Sequence, residues 1–123
     1  IQERTAGRCE RRGLEVRAIT RNIRMSAQKM REVTRQIHGL NAVQAQAVLA
    51  AVPRKSAFWV AKTLKSAIAN AENNNDLRVE KLRVKAALTG TGRTLKRFIP
   101  KARGSAGPIR KRSCNVTIVL SDE

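Results

Sequence analysis

The residues best suited to chemistry in this sequence are the cations between Arg93 and Arg112. This stretch contains eight Lys or Arg residues and no acid, with Phe98-Ile99-Pro100 near its centre. Cations in such a run neutralise nucleic-acid phosphates and release the counterions condensed on them. We therefore predict a phosphate-binding segment, bridged to its partner by Arg93, Lys96, Arg97, Arg103, Arg110, Lys111 and Arg112.

Phe98 lies in the middle of this segment and has two interpretations. Its ring could stack on an exposed base or line a cavity, or it could hold together a small apolar cluster at the tip of the segment. Pro100 stiffens the bend next to it. The glycines at 90, 92, 104 and 107 allow the backbone to turn or to approach a partner closely.

The overall charge also indicates a polyanionic partner. The 123 residues include 26 Lys or Arg and 9 Asp or Glu, which gives a formal net charge of +17. Residues 81–121 contain eleven cations and no acid, whereas residues 36–80 contain five cations and three acids. A solvated charged face normally has interleaved acids, so their absence favours binding of a polyanion.

Catalysis finds little support in the residue types. The one histidine, His38, directly precedes Gly39 and is expected to cap a helix or lie at the surface. Carboxylates are scattered, metal-ligand spacing is absent, and Gly90-x-Gly92 lacks the strand-to-helix context of a phosphate-binding loop. We predict a protein that is not an enzyme and has no cofactor, no metal and no small-molecule substrate.

The length fits one domain, with residues 1–13 as a flexible basic arm and residues 14–123 as the folded unit. Cys9 and Cys114 do not form a C-x-x-C pair, so we expect reduced structural thiols. Charges interrupt every apolar stretch well before the roughly 20 residues of a membrane span. The sequence also shows no recognisable secretory signal.

The first half of the domain predicts a strand and two helices. Residues 14–20 are rich in β-branched side chains and indicate a strand that ends near Arg24. Ser26 is a suitable N-cap for a helix that ends at Gly39. Asn41 and Gln44 suggest a capping box for a second helix running to about Ala51. The buried face of the first helix is predicted to be Ala27, Met30, Val33, Thr34 and Ile37.

A third helix follows, with Pro53 in its first turn and its end in the Asn73–Asp76 run. Trp59 is interpreted as the edge of the core, with stacking on RNA as the alternative. One buried stripe is predicted along this helix, formed by Ala57, Val60, Ala61, Leu64, Ala67, Ile68 and Ala71.

Two alternating segments complete the fold. Leu82, Val84, Ala86 and Leu88 predict one strand, and Val116, Ile118 and Leu120 predict another. An antiparallel hairpin is the simplest connection, with its turn near Lys101 and its extended part over about residues 89–115. The predicted class is α+β. A loop of this length in a small domain indicates a functional extension.

Several quoted stretches resemble one known family. "RNIRMSAQKMREVTRQIHG", "KSAIANAENN", "LRVEKLRV" and "GRTLKRFIPKARGSAGPIRKRSCNVTIVLS" occur in the order and separation of the bacterial-type large-ribosomal-subunit protein twenty-two family. The resemblance spans about Val16 to Ser121. It implies three helices packed on a three-stranded antiparallel sheet, with a long extended β-hairpin.

The resemblance also implies a function. Members are structural constituents of the large ribosomal subunit that bind its rRNA and neighbouring ribosomal proteins, support assembly, and line the nascent-peptide exit tunnel with the hairpin tip. The expected location is the cytoplasmic ribosome, with an organellar ribosome as the alternative. Besides the cations of the hairpin and Lys101, the expected rRNA-binding residues are Arg17, Arg21, Arg24, Ser26, Lys29, Lys62, Lys65, Asn70, Asn73 and Asn74.

The tip that is expected to meet the tunnel and the nascent polypeptide falls at residues 96–104. Arg93 stands where many members have Pro, Ile99 stands where many have a basic residue, and residues 105–108 are less basic than usual. These departures concern contacts at the tip and leave the placement of the hairpin unchanged. The tunnel-lining residues are expected to be Arg97, Phe98, Ile99, Pro100, Lys101, Ala102 and Arg103.

Two other classes remain as alternatives from the residues alone. A DNA-architectural protein could insert Ile99-Pro100 between base steps to bend the duplex. A binder of anionic membranes would need an amphipathic helix with bulky apolar and basic faces, which the Ala-rich helices fit poorly.

Overall fold

The computed structural model describes residues 14–122, so the predicted arm at residues 1–13 lies outside the described part, as does Cys9. The predicted α+β class is confirmed. Two short 3-10 turns occur at Val79–Lys81 and Ala102–Gly104. The main elements are β1 (Glu15–Ile23), α1 (Ala27–Ile37), α2 (Ala42–Ala51), α3 (Lys55–Asn75), β2 (Arg83–Thr91), β3 (Leu95–Pro100), β4 (Ala106–Lys111) and β5 (Cys114–Ser121).

The main sheet has three antiparallel strands in the order β1-β5-β2. Strand β5 lies in the centre, and its residues Val116, Ile118 and Leu120 are fully buried, as the alternating pattern predicts. These side chains form one core with the inner faces of α1, α2 and α3. The sheet and helices therefore make a two-layer body from which the arm can extend.

Helix α1 buries the face predicted from its spacing: Ala27, Met30, Val33, Thr34 and Ile37. The Ser26 hydroxyl accepts a hydrogen bond from the Lys29 amide at 3.5 Å, which confirms the N-cap. Gly39 has a φ of +81°, a conformation that a residue without Cβ adopts readily. Its amide donates to the Val84 carbonyl at 2.9 Å and so ties the end of the helix to the sheet.

The predicted capping box of α2 is wrong. The Asn41 side chain makes no capping hydrogen bond. Instead, Asn41 bridges to Arg83, and the Ala42 amide donates to the Leu82 carbonyl at 2.9 Å. A backbone acceptor from the segment entering β2 thus satisfies a free donor of the helix start, and a side-chain cap is not needed there.

Helix α3 begins two residues later than Pro53, so the prediction that this proline lies in the first turn is also wrong. A proline disfavours helical geometry at the preceding residue, and Val52 is extended at the end of α2. Pro53 therefore ends one helix instead of starting the next. The predicted stripe is buried except for Ala61, which is half-buried. The helix ends at Asn75, and Asp76 caps it with a φ of +51°.

Two polar residues of α3 are buried although the apolar pattern does not include them. These are Ser56 and Thr63. The Thr63 hydroxyl lies 2.8 Å from the Thr20 hydroxyl and donates to the Trp59 carbonyl at 2.9 Å. These two hydrogen-bond partners offset the cost of burying the Thr63 hydroxyl. Trp59 is half-buried against the core, which agrees with its interpretation as an edge residue.

Strand β2 departs from simple alternation because it contains a β-bulge. Val84 pairs with Leu120 and Ala86 with Val119, so Lys85 is an extra residue. An extra residue reverses which side chains face inward. Ala87 consequently packs against the core, while the predicted inward residue Leu88 is 59% exposed.

The hairpin between β2 and β5 has its tip at residues 101–105, which confirms the predicted turn near Lys101. Its outer part is a separate two-stranded sheet of β3 and β4. Pairing stops at Thr91 with Cys114 and resumes at Leu95 with Lys111, so three residues on one side face two on the other. This mismatch interrupts the ladder between the sheets. We call residues 92–113 the arm.

Candidate nucleic-acid interface

The two strands of the arm present two different faces, because residues directly opposite in an antiparallel ladder point the same way. Lys96 is paired with Arg110, Phe98 with Pro108 and Pro100 with Ala106. We call this the cationic face. The opposite face also carries two cations, but we call it the aliphatic face for its Leu and two Ile side chains. It contains Leu95, Arg97, Ile99, Gly107, Ile109 and Lys111.

The cationic face places two like charges directly across the ladder. Lys96 and Arg110 are both exposed, and neither forms an ion pair with an acid of residues 14–122. Like charges at directly opposite positions destabilise a two-stranded ladder. An anion between them removes the repulsion, so this pair is a favourable position for a phosphate.

Phe98 is adjacent to this pair and is 77% exposed. Its cross-strand neighbour is Pro108, which leaves the ring open to solvent. The interpretation of Phe98 as the centre of an apolar cluster at the tip is therefore wrong, since a ring that packed such a cluster would be buried. Its exposed face is suited to stacking on a base.

The tip is a tight loop closed by Ser105. The Lys101 amide donates to the Ser105 carbonyl at 2.7 Å, and the Ser105 hydroxyl donates to the Ala102 carbonyl at 2.8 Å. Arg103 has a φ of +58° and Gly104 a φ of +71°. A left-handed backbone costs a residue with a Cβ about 1 kcal/mol. The loop therefore strains the backbone at Arg103, whose side chain is exposed.

Lys101 lies across the aliphatic face at the tip. A Cβ built on Gly107 would collide with the Lys101 side chain. Gly107 is the buried residue of β4 because this side chain covers it. The small residue therefore allows the lysine stem to lie flat on the arm.

The base of the arm is attached to the domain at several points. The Gly92 amide donates to the Ser113 carbonyl at 2.8 Å, and the Asn115 side-chain oxygen accepts from the Asn22 amide at 3.1 Å. The Arg24 guanidinium donates to the Arg112 carbonyl at 2.7 Å. A Cβ on Gly92 would lie 3.2 Å from the Ser113 backbone carbon, so the close approach favours glycine.

A cavity of about 360 Å³ lies between the arm base and the start of α1. Its lining includes Ser26, Arg31, Thr94 and Arg112, and the full lining contains no acid. The sequence prediction includes Ser26 and Arg112 but misses Arg31 and Thr94. Arg31 lies three residues after Gln28 in α1, so the two side chains share the side of the helix that lines the cavity, and that spacing is the signal that would have included it.

The remaining predicted residues fall on two surfaces. Arg17, Arg21 and Arg24 are exposed along β1 and its end, and Lys29 is exposed in the first turn of α1. On α3, Lys62 lies 5.6 Å from the centre of the Trp59 ring, a cation–π distance. The other predicted residues of this helix are Lys65, Asn70, Asn73 and Asn74, with Asn70 partly buried and the others exposed.

Of the predicted residues from Arg17 to Lys29, Arg24 meets the arm base through its hydrogen bond and Ser26 through the cavity lining, while the predicted residues of α3 lie on a separate helix. All the predicted arm cations, from Arg93 to Arg112, are exposed. Within residues 14–122, His, Cys, Asp and Glu side chains form no group of three that could hold a metal. No described helix has both the length and the apolar character needed to cross a bilayer.

Comparison with known proteins shows the family to which this sequence is similar. The model of the family "Ribosomal protein L22p/L17e" matches residues 18–121. The large ribosomal subunit protein uL22 of Opitutus terrae is 55% identical over 109 residues, which are 89% of this chain and 96% of the relative.

Two further relatives carry the same name. The uL22 protein of Akkermansia muciniphila is 47% identical over 110 residues, covering 89% of this chain and 98% of the relative. That of Methylacidiphilum infernorum is 49% identical over 110 residues, covering 89% and 96%. The family match covers the three helices and strands β2 to β5 completely, and β1 from Ala18 onward. The chain therefore belongs to the ribosomal protein L22p/L17e family.

Proposed function

We propose that this chain, as a ribosomal protein of the large subunit in the cytoplasm, is a non-enzymatic structural constituent that binds rRNA through its arm. The proposal extends to support of subunit assembly and to a tunnel-lining role for the tip. Its partners are large-subunit rRNA, neighbouring ribosomal proteins and the nascent polypeptide. Family membership favours this function over the DNA-bending and membrane-binding alternatives.

The observation that carries the proposal is the pairing of Lys96 with Arg110 on an exposed ladder. In the free chain these charges repel each other, and the arm buries little apolar surface that would offset the repulsion. Neutralisation by phosphates removes the repulsion and adds the free energy of counterion release. The arm is thus more favourable inside RNA than in solution.

The base and the tip suit the same role. Arg24 fixes the arm base through the Arg112 carbonyl, and the cavity beside it presents hydroxyl and guanidinium donors without an acid. Phosphate contacts of this kind set position and orientation and do not read base sequence. Phe98 supplies a stacking surface that accepts any base.

Binding to large-subunit RNA fragments across a salt series tests the phosphate contacts. For contacts to duplex RNA, the slope of log affinity against log salt is expected to be about −0.9 for each phosphate neutralised, a value derived for B-form DNA, and about −0.7 for single strands. The double variant Lys96→Ala and Arg110→Ala should reduce the magnitude of the slope by about one to two.

The pair of changes Arg78→Ala and Lys81→Ala is the matched control, because it also removes two exposed cations and both lie outside the predicted interface. Its slope should equal that of the parent chain. A flat salt dependence in the parent chain, or an equal loss in the control and the double variant, would contradict the proposed role of the arm.

The tunnel-lining role needs a separate test. A photoreactive p-benzoylphenylalanine at Ile99 should cross-link to a nascent chain stalled in translating ribosomes. Release of that chain with puromycin before irradiation should prevent formation of the product. A variant that cross-links only to RNA in both states would show that the tip does not reach the lumen.

A further inference from the structure

The surface of α2 is unlike the rest of the molecule because it carries no charge. Its ten residues, AVQAQAVLAA, contain only apolar side chains and two glutamines. Val43, Gln46, Ala47 and Ala50 recur at helical spacing and are all exposed. A helix that is apolar all round is normally buried on every side.

A groove of about 430 Å³ runs between this exposed stripe and α3. Leu49 and Ala57 are buried at its floor, and Phe58 is 64% exposed at its wall. Val43, at the other end of the stripe, is 53% exposed. An accessible aromatic ring beside small side chains is typical of an anchor point in a protein–protein interface.

Two cations line the groove. Arg54 and Lys65 are both exposed and both belong to its lining. Arg54 also forms an ion pair with Glu32, whereas Lys65 forms no ion pair within residues 14–122. An occupant therefore needs apolar side chains for the floor and a carboxylate for the rim.

RNA fits this surface poorly, because protein–nucleic acid interfaces are strongly positive and polar. A second copy also fits poorly. A two-fold contact would bring the Arg54 and Lys65 of one copy towards those of the other, and each copy already carries a net charge of +17. An acidic and apolar segment of a different protein has neither difficulty.

We propose that the groove between α2 and α3 docks a segment of another protein that combines apolar side chains with at least one Asp or Glu. Phe58 anchors the segment, and the alanines of α2 allow its backbone to approach closely. Lys65, expected from the sequence to bind rRNA, meets the carboxylate of the segment instead. This site is separate from the arm. It rests on the proposed place of the chain in the large subunit, and it assigns the charge-free side of the domain to contacts with a neighbouring protein.

Photo-cross-linking in purified large subunits tests this proposal. Phe58→p-benzoylphenylalanine should give a cross-link to a protein, and mass spectrometry should place it in a segment with apolar residues and an acid. The same replacement at Phe98 should cross-link to RNA. A protein cross-link from position 58 supports the docking site, and an RNA cross-link from position 98 supports the RNA-binding arm.

The outcomes separate the two ideas. A product of position 58 with RNA, with a second copy of this chain or with a basic segment overturns the docking proposal, and so does no product at 58 while 98 reacts with RNA. If position 98 gives no cross-link to RNA while position 58 cross-links to an acidic protein segment, the RNA-binding arm is contradicted and the docking site is retained.

A charge variant adds a second readout. Lys65→Glu should lower the yield of the protein cross-link from position 58 by about two- to fivefold, the range for one exposed charge pair. Lys55→Glu is the matched control, because it makes the same change on the same helix outside the groove lining. Equal yields in the two variants would overturn the role of Lys65.

Discussion

Lys96 and Arg110 show that single residues of the arm favour the bound state over the free one. Each would be better paired with an acid if the isolated chain were the form that mattered. Arg103 is a second example, because its backbone has the unfavourable left-handed conformation while its side chain is exposed at the tip. Residues that break a local rule are expected where a partner supplies the compensation.

At the Lys96–Arg110 pair, Lys96→Glu is expected to separate stability from binding. The change creates an opposite-charge pair across the ladder, so the free arm should become more ordered, with slower amide exchange in β3 and β4. Affinity for large-subunit RNA should fall because a phosphate contact is lost and a repulsion is gained. Lys96→Gln is the control that removes the charge without reversing it. The prediction would be contradicted if the Lys96→Glu chain bound large-subunit RNA as tightly as the parent chain.

Cys114 predicts a pH dependence of stability. Burial raises the pKa of this thiol above its ordinary value. Between the unfolded and the folded pKa, the folded state holds the proton more tightly, so the free energy of unfolding decreases as the pH rises above about 8.5. Chemical denaturation at pH 7 and pH 10 measures this loss.

Cys114→Ala should show a smaller loss over the same pH interval, because it lacks the thiol. Its lower stability at pH 7 does not affect the comparison, which uses only the change with pH. An identical loss in the two chains would show that this thiol does not contribute to the pH dependence.

At the scale of the elements, helix α3 was predictable because its stripe repeats at helical spacing over fifteen residues and its packing follows that stripe. The bulge at Lys85 was not predictable in the same way. Nothing in the local sequence distinguishes an inserted residue from an alternating one, and the pairing partner Val119 is remote in sequence. The backbone acceptor of Leu82 that replaces the Asn41 cap is likewise a tertiary feature.

Leu64→Ala tests the importance of α3. Leu64 is fully buried in the core, so truncation should lower the free energy of unfolding by about 2 to 5 kcal/mol. Lys65→Ala, one residue further along and exposed, should change it by no more than about 0.5 kcal/mol. Denaturant titration of both chains gives the comparison. An unchanged midpoint for Leu64→Ala would refute the burial of this stripe.

For the whole molecule, an apolar core provides the stability, whereas the proposed contacts lie outside it, on the cationic arm and on the charge-free stripe of α2. The sequence predicted the arm, its tip near Lys101 and its exposed cations, because composition alone marks them. It did not predict the cavity beside Arg31 or the groove beside Phe58, since both form only when separate elements pack together.

Shortening the arm symmetrically tests that division. Removing residues 96–98 together with residues 108–110 deletes three complete pairs of the ladder and keeps the remaining register. The melting temperature of the free chain should stay the same or rise slightly, because no core residue is lost and three cations are removed. A large fall would mean that the arm supports the core.

The three-against-two mismatch at residues 92–94 and 112–113 has a consequence for how this chain tolerates changes in length. Side chains of a strand alternate with a period of two, so deleting one residue there would exchange the two sides of everything beyond it. Phe98 would then point where Ile99 now points. Insertions and deletions in this short connector should be selected against far more strongly than substitutions, because each one re-aims the whole projecting element.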